Sequence, residues 1–415
     1  MSPAAKPLPL LEGLGVELEY MIVDRETLSV MPVVDELLRA VADEYTDEVE
    51  QGPLRWSNEM ALHVVELKTN GPVSALSGLA GVFAGHVGRI NALLRPRGGA
   101  LMPTGMHPLM DPSRESRFWP HQNRAIYDAY HRIFDCRRHG WTNLQSVHLN
   151  FSFHGDEEFA RLHAAVRFLL PVLPAIAASS PAMEGKLTGL LDSRVEVYRS
   201  NQQRIPSITG RVIPEAVYTR RQYRDRILRR LYRDIAPLDP EKVLRHEWLN
   251  SRGAIPRFDR STIELRILDV QECPRADIAI ASAVVAVLEA LVRGTMTPVA
   301  DLMGWGIDPL EEIFLAAVRE GERAVIRDRR YLEAFGLARD RCTAGELWSH
   351  LAGTLLTGST EDDAAVRDTL QVILSRGTLA RRILDRLGDA PSRERIRRVY
   401  RELCDCLSEG RMFLP

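Results

Sequence analysis

Residues 14–20, Leu-Gly-Val-Glu-Leu-Glu-Tyr (LGVELEY), decide how this chain is read. As a strand the stretch alternates. Val16, Leu18 and Tyr20 fall on one face, and Gly15, Glu17 and Glu19 on the other. Two carboxylates two residues apart on a strand point the same way. They repel unless a cation stands between them or water surrounds both. The apolar alternation implies that one face is packed, so the acid face is plain surface or one wall of a cleft. For an isolated pair, plain surface is the expectation.

The pattern is not isolated. Residues 145–153 (QSVHLNFSF) put Val147, Leu149, Phe151 and Phe153 on one face and Ser146, His148, Asn150 and Ser152 on the other. Residues 262–269 (TIELRILD) set Ile263, Leu265 and Ile267 against Thr262, Glu264 and Arg266. Residues 58–69 (NEMALHVVELKT) are strand-like and are stopped by Asn70-Gly71-Pro72. Glu59 and Glu66 differ by an odd number. Both reach one site only if Glu59 precedes the strand proper or a bulge intervenes.

Between the strands, helical spacing predicts helices over 33–42, 74–94, 127–140 and 157–178, the last broken around Pro171 and Pro174. Residues 101–108 end a short strand in a Gly/Pro-rich loop that carries His107, a residue whose commonest role is a loop hydrogen bond. Residues 220–233 (RRQYRDRILRRLYR) are basic, but the arginines fall all round a helix with Asp225 among them, which reads as a solvated, ion-paired face. Beyond Pro274 the spacing is helical, over 276–293, 309–327, 343–356, 361–375 and 392–407, with breaks at glycines and at 389–391. No internal repeat or low-complexity linker divides the chain. One α+β domain is expected over 1–415, with strands and active-site core in 14–275 and a helical part in 276–415.

Composition narrows the function classes. At 415 residues, 45% hydrophobic and 27% charged, the chain has the make-up of a soluble globular protein. A net charge of -2 offers no field for a nucleic-acid or membrane-surface partner. The five cysteines are odd in number and mostly far apart, which fits a reducing cytoplasm rather than a disulfide framework. The N-terminus lacks the apolar run of a signal peptide. The apolar segment 278–292 is interrupted by Ser282 and Glu289 and is too short to span a bilayer.

Three strands with one apolar and one polar face suit an antiparallel or mixed sheet with helices on one side. Its open face would collect Glu17, Glu19, Glu66, His148, Asn150, Glu264 and Arg266. Several carboxylates and one histidine, without cysteine, form a ligand set for Mg²⁺ or Mn²⁺. Arg266 beside Glu264 would add a permanent cation, and metal with guanidinium suits a phosphate. The chain has no GxxxxGK[ST] and no GxGxxG, so metal and side chains would have to hold any nucleotide.

In order along the chain, LGVELEY, EMALHVVELKTNGP, PTGMHP, LQSVHLNFSF, ASSP…G…TG…DSR and STIELRILD resemble the successive motifs of the glutamate–cysteine ligase superfamily, in its bacterial carboxylate–amine ligase branch. The resemblance runs from about residue 14 to 275. It implies an ATP-dependent ligase whose antiparallel sheet forms an open cup with helices outside, as in the glutamine synthetase catalytic domain. ATP would phosphorylate a carboxylate, and an amine would then displace phosphate to give an amide. By motif, Glu17, Glu19, Glu59, Glu66, His148 and Glu264 would bind Mg²⁺. Arg266 would contact the γ-phosphate, with Glu264 as the other catalytic residue. Asn150 and Arg194 would join Arg266 in holding ATP, and Arg194, Arg252 and His107 would contact substrate. An acyl phosphate hydrolyses easily, so a loop should close over it, and the Gly-rich segment 185–189 is a candidate. Glutamate and cysteine are the default substrates, with another amine or a peptide open. Assembly as a homodimer is compatible with the resemblance. A nucleotide-binding relative without turnover and a metal-dependent phosphohydrolase are the competing readings. Product analysis separates them: ADP, phosphate and amide together mark a ligase.

Overall fold

The computed structural model describes residues 8–415; residues 1–7, the start of the segment read as lacking a signal peptide, lie outside the described residues. Strand β1 (Leu14–Asp24) is the axis of the sheet. Around it lie β2 (Glu48–Gln51), β3 (Leu54–Asn58), β4 (Val64–Thr69), β5 (Gly99–Met102), β6 (Ser146–Ser152), β7 (Ala254–Arg257) and β8 (Thr262–Asp269). The order is β2-β3-β4-β1-β6-β8-β7, with β5 paired to the second half of β1. Every pairing in this eight-stranded sheet is antiparallel.

Register carries the alternation from strand to strand. Glu19 lies opposite Glu66, Glu17 opposite both Lys68 and His148, and Gly15 opposite Asn150. Glu264 in turn lies opposite Asn150. Directly opposed residues share a face, so the acids, His148 and Glu264 are gathered on one side of the sheet. On the other side Val16, Leu18, Tyr20, Leu149 and Ile263 are fully or almost fully buried. They join the apolar residues of helices α2 (Leu79–Leu94), α4 (Gly155–Leu169) and α6 (Pro274–Arg293) in one core. The first helix of the chain, α1 (Val34–Ala42), packs on β2 and β3, and α3 (Arg124–Phe134) reaches β3 through the Asn58–Tyr127 hydrogen bond.

The strand expected over 58–69 is two strands, with 59–63 as the link, so Glu59 does precede the strand that carries Glu66. The helix expected over 157–178 ends at Leu169 and continues only as short turns at Leu170–Val172 and Pro174–Ala177, as the prolines dictate. The helical part contains α7 (Ile307–Glu320), α8 (Ala344–Leu355), α9 (Glu361–Arg376), α10 (Leu379–Leu387) and α11 (Arg393–Glu409). Of these, α10 was not expected. It pairs with α11 to cover Met21 and Val23, the residues that continue the acid face of β1 beyond Glu19. The polar face is therefore confined to the first half of β1. Among the described residues no helix is long and apolar enough to cross a membrane.

Candidate active site

The polar face of the sheet lines a cavity of about 1050 Å³. Glu17, Glu19, Glu59, Glu66, His148, Asn150, Glu264, Arg266 and Arg194 all reach it. Two groups of ligand atoms lie within 4.8 Å of one another: Glu17, Glu66 and His148, and Glu19, Glu59 and Glu66. Glu66 belongs to both, as a carboxylate bridging two cations would.

The hydrogen bonds fix the orientation of each group. His148 Nδ1 is 3.1 Å from Glu17 Oε2, and Asn150 Nδ2 donates to Glu17 Oε1 at 2.8 Å. Glu19 Oε2 accepts from the Ser146 amide at 2.7 Å and from its hydroxyl at 2.9 Å. Ser57 donates to Glu66 Oε2 at 2.6 Å, and Lys68 Nζ lies 3.1 Å from the same oxygen. Glu264 is turned toward two arginines, Arg266 and Arg257, and stands outside both ligand groups.

The electrostatics show how crowded the anions are. Burial and the charge of Glu17 push the Glu66 carboxyl up to about 7, although Lys68 pulls the other way. Burial, Glu19 and Glu66 hold Glu59 far above the usual carboxylate range. Burial also opposes the charge on Glu17, but the hydrogen bond and charge of His148 outweigh it and keep Glu17 low. His148 is raised to about 9: burial disfavours its charge, and Glu17, Glu19 and Glu264 more than restore it. Without a cation some of these carboxylates must hold protons, which is the condition a divalent ion relieves. The donor set is carboxylate oxygen plus one imidazole, with no thiolate, and it fits Mg²⁺ or Mn²⁺.

A β-bulge shapes the other side of the site. The β8–β6 register shifts between Leu265 and Leu268, so Ile267 and Leu268 are both buried and Asp269 comes to lie opposite Ser146. Parity is thereby reversed, and Asp269 joins Glu264 on the cavity side. There it accepts from Arg194 Nε at 2.5 Å, from the Ser179 amide at 2.8 Å and from the Ser180 hydroxyl at 2.8 Å. Gly105 packs directly on the Asp269 carboxylate, which a Cβ there would strike, and this accounts for the glycine in PTGMHP. Arg194, a residue of the cavity wall, is thus held by one edge of its guanidinium, while its Nη2 is buried without a partner.

Three expectations need correction. His107 is 2% exposed and does not line the cavity. Its Nε2 is 2.7 Å from the Leu28 carbonyl, and Nδ1 accepts from the amides of Leu109 and Met110. Burial lowers it to about 4, so it is a neutral ring that ties a loop. Arg252 is also outside the cavity lining. Both its Nε and Nη2 are taken by Glu215, at 2.5 and 2.6 Å, and Nη1 by Asn250 at 2.9 Å. The third is the lid over 185–189. That segment belongs to a tight hairpin of Ala182–Met183 and Lys186–Leu187, pinned by the Gly185 amide to Pro108 and by Arg393 to Glu184. It does not reach the cavity.

Sequence reasoning missed Lys68, Arg257, Asp269 and Tyr198. Lys68 was accessible by the parity rule, since it lies two residues beyond Glu66 on the same strand. Arg257 depends on the hairpin that sets it opposite Thr262. Asp269 was hidden by the bulge. Tyr198 sits on α5 (Ser193–Ser200), a short helix whose side chains enter the site only in three dimensions.

A family model described as glutamate-cysteine ligase family 2 matches residues 13–402. An uncharacterized protein of Archaeoglobus fulgidus is 31% identical over 97% of this chain and 100% of its own length. A provisionally named glutamate–cysteine ligase 2 of Sorangium cellulosum is 29% identical over 68% of this chain and 69% of its own. Among solved structures, glutamate–cysteine ligase of Francisella tularensis in complex with AMP superposes with a TM-score of 0.61 at 13% identity, covering 96% of this chain and 90% of that one. A bifunctional glutathione synthetase of Pasteurella multocida gives 0.56 at 13% identity, covering 96% of this chain and 52% of that one.

Proposed function

Because the chain belongs to glutamate–cysteine ligase family 2, and is thereby an ATP-dependent ligase, we propose that it joins a carboxylic acid to an amine through an acyl phosphate, with ADP and phosphate released. The observation that carries this reading is the convergence of Glu17, Glu66 and His148 with the Glu264–Arg266 pair in one cavity. Glutamate is the proposed acid. The AMP in the Francisella relative supports a nucleotide in a cavity of this kind. We read the chain as one ligase domain whose sheet is an open cup of glutamine-synthetase type. Five unpaired, buried cysteines support a reducing cytoplasm as its place of work.

Glu17, Glu66 and His148 would hold one Mg²⁺, and Glu19, Glu59 and Glu66 a second. Bound there, the ions would screen the nucleotide's phosphates and polarise the one being transferred. The remaining work falls to side chains. Arg266 presents a guanidinium fixed by Glu264, a preorganised cation for charge on the transferring phosphoryl group. Asn150 and Ser146 hold Glu17 and Glu19 in ligating orientation, as outer hydrogen bonds do in metal sites generally. Arg194, locked by Asp269, offers Nη2 to a substrate carboxylate. In the second half the amine nitrogen forms the N–C bond as the C–O bond to phosphate breaks. Phosphate leaves with the electron pair and the amine gives up one proton. No covalent protein nucleophile is required.

The test is incubation with ATP, Mg²⁺, glutamate and a panel of amines, followed by mass analysis. ADP, phosphate and a new amide should appear together, stop on addition of EDTA, and recover with Mg²⁺ or Mn²⁺. ATP loss without amide would instead mark a phosphohydrolase, and full activity in chelator would remove the metal from the scheme.

A further inference from the structure

The cavity has two unlike ends. At the end of the sheet where β1 begins, its walls are Gly13, Gly15, Thr69, Pro72 and Ser152. At the opposite end, beyond Glu19, the wall is aromatic: Tyr127 and Tyr130 from α3, Trp141 from the turn His139–Thr142, Tyr198 from α5 and Trp248 from the turn Glu247–Leu249. Three of these rings, Tyr130, Trp141 and Trp248, brace one another. Tyr130 lies 5.2 Å from Trp141 and 6.0 Å from Trp248, centroid to centroid. Trp141 stacks on Phe134 at 5.6 Å, and Trp248 on His246 at 5.3 Å with an interplanar angle of 12°. A wall so supported keeps its shape and leaves a space bounded by flat apolar faces.

The same end carries donors without acceptors. Trp141 Nε1 and Arg194 Nη2 are both buried with no hydrogen-bond partner. Buried donors left unpaired cost about 1–3 kcal/mol each unless a ligand completes them. Both can only donate, so what completes them is an oxygen acceptor, and beside a guanidinium a carboxylate is favoured. A small thiol amino acid would satisfy the carboxylate contacts and leave the aromatic faces wet.

We propose that the acceptor amine is an amino acid with a planar or bulky apolar side chain, its carboxylate taken by Arg194 and Trp141 and its side chain by Tyr130 and Trp248. This rests on the ligase reading above and narrows its substrate. Ring stacking adds about 0.5–1.5 kcal/mol beyond area burial. Discrimination against cysteine should therefore reach at least about tenfold in kcat/KM.

The test compares phenylalanine with cysteine and glycine as acceptors in ADP-coupled amide formation, with ATP, Mg²⁺ and glutamate. Phenylalanine should be favoured by tenfold or more. Trp248→Ala should bring the ratio toward one through KM, and Trp248→Phe should restore it, which a merely misfolded variant would not do. Equal or better turnover of cysteine by the unaltered protein overturns the proposal. If no pair of substrates yields ADP, the ligase reading fails on its own. Direct binding then decides the substrate class, read as a change in tryptophan fluorescence on titration with phenylalanine or cysteine. Tighter phenylalanine binding upholds the pocket assignment, and equal or weaker binding overturns it.

Discussion

Glu264 and Arg266 stand two residues apart on β8 and pair side by side at the cavity wall. Burial works against the charge on Arg266, but Glu264 and Tyr198 more than offset it, so the guanidinium is permanently charged. A lysine at this position would keep the charge and lose the planar double donor. Arg266→Lys should lower kcat by about ten- to a hundredfold with a smaller change in KM for ATP; wild-type turnover would contradict its phosphoryl role. Asp269 sets a second residue-scale constraint. It is the ion-pair partner of Arg194, and the two side chains are 0% and 3% exposed. Removing one charge of a buried pair leaves the other uncompensated. Asp269→Asn should cost on the order of 3 kcal/mol in urea unfolding, and an unchanged midpoint would show that Asp269 does not anchor the guanidinium.

At the scale of elements, the site depends on close approach between the PTGMHP loop and β8. The Gly105 amide donates to Ser179 Oγ at 2.8 Å, and a Cβ on residue 105 would meet the Asp269 carboxylate. Gly105→Ala should destabilise by about 1–3 kcal/mol and lower activity through displaced Arg194. Thermal unfolding and steady-state rates measured together check both parts; a variant as stable and active as the parent would mean the loop yields without consequence. The bulge in β8 acts at the same scale. It lets one strand put Glu264 and then Asp269 on the same face of the sheet although their separation is odd. Helices α10 and α11 cover the far half of β1 and so set where the polar face stops.

At the scale of the whole molecule, buried histidines outside the site contribute to the response to acid. His163 packs against Phe159 at 5.1 Å, and burial, with the charge of Arg167, lowers it to about 3. Burial likewise lowers His63 and His107 to about 4. In the unfolded chain such rings titrate near 6.5. The unfolded state therefore binds protons first as pH falls. The stability these rings contribute is fully present above about 6.5 and is lost progressively down toward 3. The slope is roughly 1.4 kcal/mol per pH unit for each ring. His163→Phe should flatten the fall of the unfolding midpoint between pH 6 and 4, by comparison with the unaltered protein. A parallel fall in both would mean His163 is not held neutral.

What the sequence by itself determined is what repeats along the chain. Period-two alternation in 14–20, 145–153 and 262–266 names the faces of three strands, because side chains on an extended backbone must point to opposite sides in turn. The prolines and glycines that end the elements act just as locally. The odd spacing of Glu59 and Glu66 required either that Glu59 precede the strand or that a bulge intervene, and the fold took the first course. Tertiary structure alone decided the rest. It took the fold to show that His107 is spent on Leu28 and its own loop amides and Arg252 on Glu215 and Asn250, since a motif position says nothing of what surrounds it. It took the fold to bring Asp269 under Arg194 on the polar side of the sheet, because a bulge breaks the parity on which strand reading rests. The aromatic wall is likewise invisible in order of residues: its members lie on four separate segments, and only packing against one another turns them into a surface.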